Sequence, residues 1–214
     1  MKIETLCPPI HYLFLLVFSV LVSACGSTFQ AGSGVAQGRQ ALFRGDYSTA
    51  LELFESAAQK DPNYVFGTEL REGTLSFLGR AQYLNGQLEP AKDTLQKAVA
   101  QHKSDNLARL YLGLTQGRLG DRKSGLRDIE TGMKGISGFL NYITTQFAWS
   151  FGQFWDPGGN LRKTIDSNLA MIAKGDFDWS TLIANGEALA MNVEQEEDRA
   201  RQDEERELQM KMRR

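Results

Sequence analysis

Glycine recurs at Gly79 and Gly113, and again at Gly86 and Gly120, both times after 34 residues. Other small and large side chains keep step with it. "GRAQYLNGQLEPAKDTLQKAVA" runs from Gly79 through Gly86, Leu88, Ala91, Leu95 and Ala98, and "GLTQGRLGDRKSGLRDIETGM" from Gly113 through Gly120, Gly125, Ile129 and Gly132. An earlier copy, "GRQALFRGDYSTALELFESAAQKDP", runs from Gly38 through Gly45, Ala50, Phe54, Ala57 and Pro62. A fixed period of this length marks a stack of supersecondary units, none of which can bury its apolar face alone.

The residue types describe a helical hairpin. Gly38, Gly79 and Gly113 fall where two helices cross closely, and a side chain there would push them apart. Gly45, Gly86 and Gly120 fall where the first helix ends and the chain needs a left-handed cap. Ala50, Ala57, Ala91 and Ala98 leave room on the second helix, Phe54, Leu95 and Ile129 fill the space between hairpins, and Pro62 stops the first copy.

This pattern resembles the tetratricopeptide repeat. The resemblance implies an all-α, right-handed solenoid of about three helical hairpins over residues 37–137, with its first helices lining a concave groove. Side chains just after each crossing glycine, and one turn later, would then face the groove: Arg39, Arg80, Tyr83, Leu114 and Arg118. Two arginines at one equivalent position, with Arg118 nearby, suit a carboxylate or an acidic peptide.

Two departures carry expectations. From Gly45 to Gly86 the offset is 41 residues, so seven extra fall around "NYVFGTE". Seven residues are about two helical turns, which a lengthened helix would absorb without turning its apolar face. The third copy puts Gly125 and Gly132 where alanine is usual, which makes that hairpin either the weakest or the most tightly packed.

After Ile136 the repeat fades. Residues 138–176 carry Phe139, Tyr142, Phe147, Trp149, Phe151, Phe154 and Trp155, then "DPGG", then Leu161, Ile165, Leu169 and Ile172 at helical spacing with Lys174-Gly175 as a stop. They read as capping helices, which a solenoid needs over its exposed end. Residues 177–214 read as a final helix capped by Asp178, apolar at first and dense in charge from Glu194 on; that second half is expected to be solvated, projecting or fraying.

The start of the chain is of another kind. Lys2, an apolar run from Leu13 to Val22 too short for a bilayer span, and "VSAC" ending at Cys25 resemble the signal peptide and lipobox of a bacterial lipoprotein. The resemblance implies removal of residues 1–24, diacylation (palmitate-type chains) on the Cys25 sulfur, and a place in the cell envelope. Gly26 after the cysteine resembles the outer-membrane sorting class, facing the periplasm. Two or three buried acyl chains, at ~0.8 kcal/mol per methylene, hold a protein on a membrane almost permanently. Residues 25–36, glycine-rich and polar, read as a flexible tether.

Processing at Cys25 would also remove Cys7 and His11, leaving His102 and a lipid-carrying cysteine. No intrachain disulfide, cysteine zinc site or thiol nucleophile is then expected, and the sequence singles out no catalytic, cofactor or metal residue. His102, with Ser104 and Asp105 nearby, reads as a helix-end residue because a loop does not fix a base against a nucleophile. "GSGVAQG" has neither the glycine spacing nor the lysine of a phosphate loop. The net charge of -2 argues against nucleic acid.

The expectation is a membrane-anchored scaffold that binds protein or peptide in envelope assembly. A different reading makes it a small-ligand carrier, with Tyr142, Trp149 and Trp155 lining an apolar pocket. Oligomeric state is not legible.

Overall fold

A computed structural model describes residues 10–175 and 177–213, with side chains from Gly26 onward. Eight α-helices follow in order: α1 (Ile10–Phe43), α2 (Tyr47–Lys60), α3 (Thr74–Leu84), α4 (Leu88–Gln101), α5 (Asn106–Arg118), α6 (Arg122–Gln146), α7 (Asn160–Lys174) and α8 (Trp179–Met212). The pairs α1–α2, α3–α4 and α5–α6 pack as antiparallel hairpins, and each stacks on the next. The result is the all-helical, tetratricopeptide-like repeat array that the period predicts.

The punctuation follows the sequence. Gly45, Gly86 and Gly120 have φ of 75°, 76° and 94°, the left-handed backbone at which an L side chain is strained. Each second helix then starts one to two residues later, and Asp46, Asp105, Asp121 and Asp178 cap helix N-termini by accepting from the amides of Thr49, Ala108, Ser124 and Thr181.

Residues 25–36 are not a tether. α1 runs through them, burying Ala31, Val35 and Leu42 at spacings of four and seven against α2. The glycines that suggested a linker serve close packing instead. A Cβ on Gly34 would stand 3.2 Å from the Cβ of Ala57, and one on Gly38 would run into the Phe54 ring.

The seven extra residues form no lengthened helix either. They make a short antiparallel hairpin, β1 (Val65–Phe66) against β2 (Glu72–Gly73), in which Val65 faces Gly73 and Phe66 faces Glu72. Gly67, at φ 87°, opens its turn, and the Thr74 amide donates to the Tyr64 carbonyl at 2.9 Å. The hairpin carries Glu72 into the interior, 1% exposed.

The third hairpin is the tight one. A Cβ at Gly113 would lie 2.5 Å from the Ile129 nitrogen, and one at Gly132 would lie 2.8 Å from the Leu110 nitrogen. α5 and α6 thus touch backbone to backbone. α6 also continues past residue 137 to Gln146, so the repeat and the aromatic segment share one helix.

Beyond α6 the chain makes a 3-10 turn, Phe151–Phe154, and the "DPGG" turn, where the Gly159 amide donates to the Asp156 carbonyl at 2.8 Å. α7 packs Leu161, Ile165 and Ile172 inward and stops at Gly175, φ 70°. Among the described residues no helix is long and apolar enough to cross a membrane.

Candidate functional site

α8 lies along the first helices of all three hairpins. It places carboxylates against Arg39, Arg80, Tyr83 and Arg118, four of the five residues expected in the groove. At the third hairpin Arg118 of α5 is 3.9 Å from Glu187, and the Tyr83 hydroxyl of α3 donates to the same carboxylate. At the second, Arg80 of α3 pairs with Glu194 and, at 3.1 Å, with Glu72 of β2. At the first, Arg39 of α1 reaches Glu197 at 3.2 Å and Asp198 at 3.0 Å. Leu114 takes the apolar share, because a Cβ on Gly186 would lie 2.7 Å from its Cδ2.

The expected solvated half of α8 is therefore docked, at least to Ala200. Leu182, Gly186, Leu189, Val193, Glu197 and Ala200 are buried at spacings of four and three, a seam that continues past the onset of charge. Only from about Gln202 does the helix lose its partners on the array; there it pairs chiefly with itself, as in Arg206–Asp203 and Lys211–Glu207.

Two shells hold the arginines in place. Aromatic faces lie under them: Arg39 stands 4.7 Å from the Phe66 ring centre, Arg80 4.8 Å from Phe77, and Arg118 4.9 Å from Tyr83. Such contacts are worth ~0.5–2 kcal/mol each, more where water is excluded. Removing two charges from water is nonetheless costly, so a buried pair of this kind specifies geometry more than it stabilises.

The acids respond to that burial. Desolvation, with the Glu72 charge second, pushes Glu197 up to about 7 although Arg39 and Arg201 pull the other way. Asp105, the buried cap of α5, is pushed up to about 7 by desolvation and by Glu72, despite accepting from the amides of Ala108 and Gly73. Burial lifts the phenols too: Tyr83 well above its ordinary range, assisted by Glu187, and Tyr111 up to about 12.

Outside the groove, the aromatic residues do not line one cavity. Trp155 is buried, with its ring edge-on to Phe139 at 5.3 Å. Trp149 is 99% exposed and Tyr142 more than half exposed. The indole and phenol that were to complete a ligand pocket thus face solvent. Arg199 and Glu196 of α8 bind this region instead, through the Phe154 carbonyl at 2.7 Å and the Asp156 amide.

His102 ends α4, where its amide donates to the Ala98 carbonyl at 2.9 Å. Asp105 beside it is committed to capping α5 and to the Gly73 amide. Cys25, the lipidation candidate, lies outside the residues whose side chains are described, as does the whole leader of residues 1–24.

What the sequence did not reveal is the acidic half of the site: Glu72, Glu187, Glu194, Glu197 and Asp198. Their signal is the heptad-like seam of α8, which sets Glu194 and Glu197 on the same face as Leu189 and Val193.

An array of hairpins whose concave face grips a helix defines a class, the helical-repeat interaction domain. Residues 41–113 match the tetratricopeptide repeat family model, covering the span from late α1 to mid α5. No curated protein matches the chain. Among solved structures, the Sgt2 TPR domain from Aspergillus fumigatus is similar at 24% identity with a TM-score of 0.42; the match covers 49% of this chain and 65% of that one.

Proposed function

We propose that the chain is a lipid-anchored adaptor of the bacterial envelope, most simply of the outer membrane facing the periplasm, which binds a protein partner through its concave groove. One observation carries the binding half of this reading. The groove already holds a helix, with a cation from each hairpin meeting that helix's carboxylates. Repeat arrays present such surfaces because each unit adds one increment of the same face. The anchoring half rests on "VSAC" and the apolar run before it. No reaction is assigned.

The half-exposed end of the groove allows a test that spares the buried pairs. A chain carrying Arg118→Glu, alongside the unaltered chain, is used to capture proteins from detergent-solubilised envelopes. A partner retained by the unaltered chain and lost from the variant supports the adaptor; identical capture removes the groove from it. For the anchor, Cys25→Ala should free the chain from membranes, and fractionation with membranes at high salt would contradict lipid tethering.

A further inference from the structure

We infer that the groove is built for an acidic amphipathic helix of another protein, and that α8 is its competitor within the same chain; this rests on the groove being the interaction surface.

The site belongs to the array rather than to α8. Arg39 and Arg80 occupy the same register, each directly after a crossing glycine, and Arg118 lies one turn beyond Leu114, the third residue of that register. Each first helix therefore offers one cation. On α8 the answering groups come in the order Glu187, Glu194, then Glu197 with Asp198. At 1.5 Å rise per residue, they stand about 10 Å and then about 5 Å apart along the helix axis. Just ahead of Glu187 lies a small residue against Leu114, namely Gly186, and between Glu187 and Glu194 lie the apolar Leu189 and Val193. A helix that repeats this order of carboxylate, small and apolar positions satisfies the same surface by charge and shape.

Several features make α8 exchangeable. Its covalent link to α7 is residues 175–178, beginning at Gly175 in a left-handed conformation. Its terminal stretch beyond Arg201 lies largely exposed. Glu187 and Arg118 are 37% and 40% exposed, so an incoming helix has a place to engage before the buried pairs separate. Glu194 and Glu197 are held beside a third buried acid, Glu72, so their ion pairs yield less than their number suggests.

The test uses the full chain and a fluorescent peptide spanning residues 179–204 as the stand-in helix. Glu187→Ala with Asp198→Ala removes the two partly exposed carboxylates of α8 that meet Arg118 and Arg39, and leaves Glu194 and Glu197 in place. Anisotropy should show the peptide binding this variant at least ten-fold more tightly than the unaltered chain. Trp179→Ala, which loosens the packing of α8 on Gly117 and leaves every carboxylate of α8 in place, should shift affinity the same way. A peptide carrying Glu187→Lys, Glu194→Lys and Asp198→Lys should not bind.

Equal affinity for altered and unaltered chains, equal binding of the charge-reversed peptide, or no binding to any chain would each overturn the inference. The outcome is separable from the envelope capture. Capture that depends on Arg118 but ignores α8 loosening keeps the adaptor and removes the competitor, whereas peptide exchange without envelope capture does the reverse.

Discussion

Arg80 sits between Glu72, eight residues earlier, and Glu194 of α8, and all three side chains are no more than 2% exposed. Taking away the cation leaves two buried anions facing each other. Arg80→Met is expected to cost ~3–5 kcal/mol, the usual penalty for orphaning a buried charge. Adding Glu72→Gln and Glu194→Gln to it should recover a large part of that loss, which urea denaturation of the single and triple variants measures. Recovery is the informative result, because it separates charge imbalance from lost packing.

Stability should fall as pH rises from about 4 to about 7. Glu197 and Asp105 are both pushed up to about 7 in the folded chain, whereas an unfolded chain releases their protons near 4. In that window the folded state binds more protons than the unfolded one, so each rise in pH favours unfolding. The groups facing Glu197 are Arg39 from α1, Glu72 from β2, and Asp198 and Arg201 from its own helix; burial outweighs the two arginines. Thermal melts across the range should show the decline, and Glu197→Gln should flatten it. A melting temperature that climbs over this interval would contradict the assignment.

Gly113→Ala should destabilise the third hairpin by ~1–3 kcal/mol, because the new methyl meets backbone of α6 that cannot swing aside. Gly138→Ala, in the same helix pair but with open space around it, should stabilise by ~0.5–1 kcal/mol. Opposite signs from one substitution type would show that close helix contact, not glycine content, governs this hairpin.

Trp155→Ala is expected to cost ~3–5 kcal/mol as a large buried ring is deleted. Trp149→Ala, six residues away, should change stability by less than ~0.5 kcal/mol because its ring contacts mainly solvent. Chemical denaturation with tyrosine and tryptophan fluorescence reads both.

Legibility divided along a physical line. Hairpin order and left-handed caps follow from local rules, so Gly45, Gly86 and Gly120 could be placed from neighbours within one repeat. Residues 25–36 and 65–73 could not, because their glycines have two uses. Gly34 permits either a loose chain or a close helix contact, and only the presence of Ala57 on α2 decides. The second half of α8 misled for a related reason. Charge density implies solvation when partners are sought nearby in the chain, but Glu197 finds Arg39, 158 residues earlier. The surplus of acid on α8 and the surplus of arginine on the first helices each make sense only in the other's presence.

The Arg39–Asp198 contact also alters what kind of object the array is. In an open solenoid each unit feels only its neighbours, and the ends unravel first. Here a single rod is bolted to the first, second and third units at once, so the outermost hairpins gain a stake in each other's survival. Melting should then proceed as one event rather than unit by unit, and assembly should wait for the chain's last third, since the bolt is made from its two extremes.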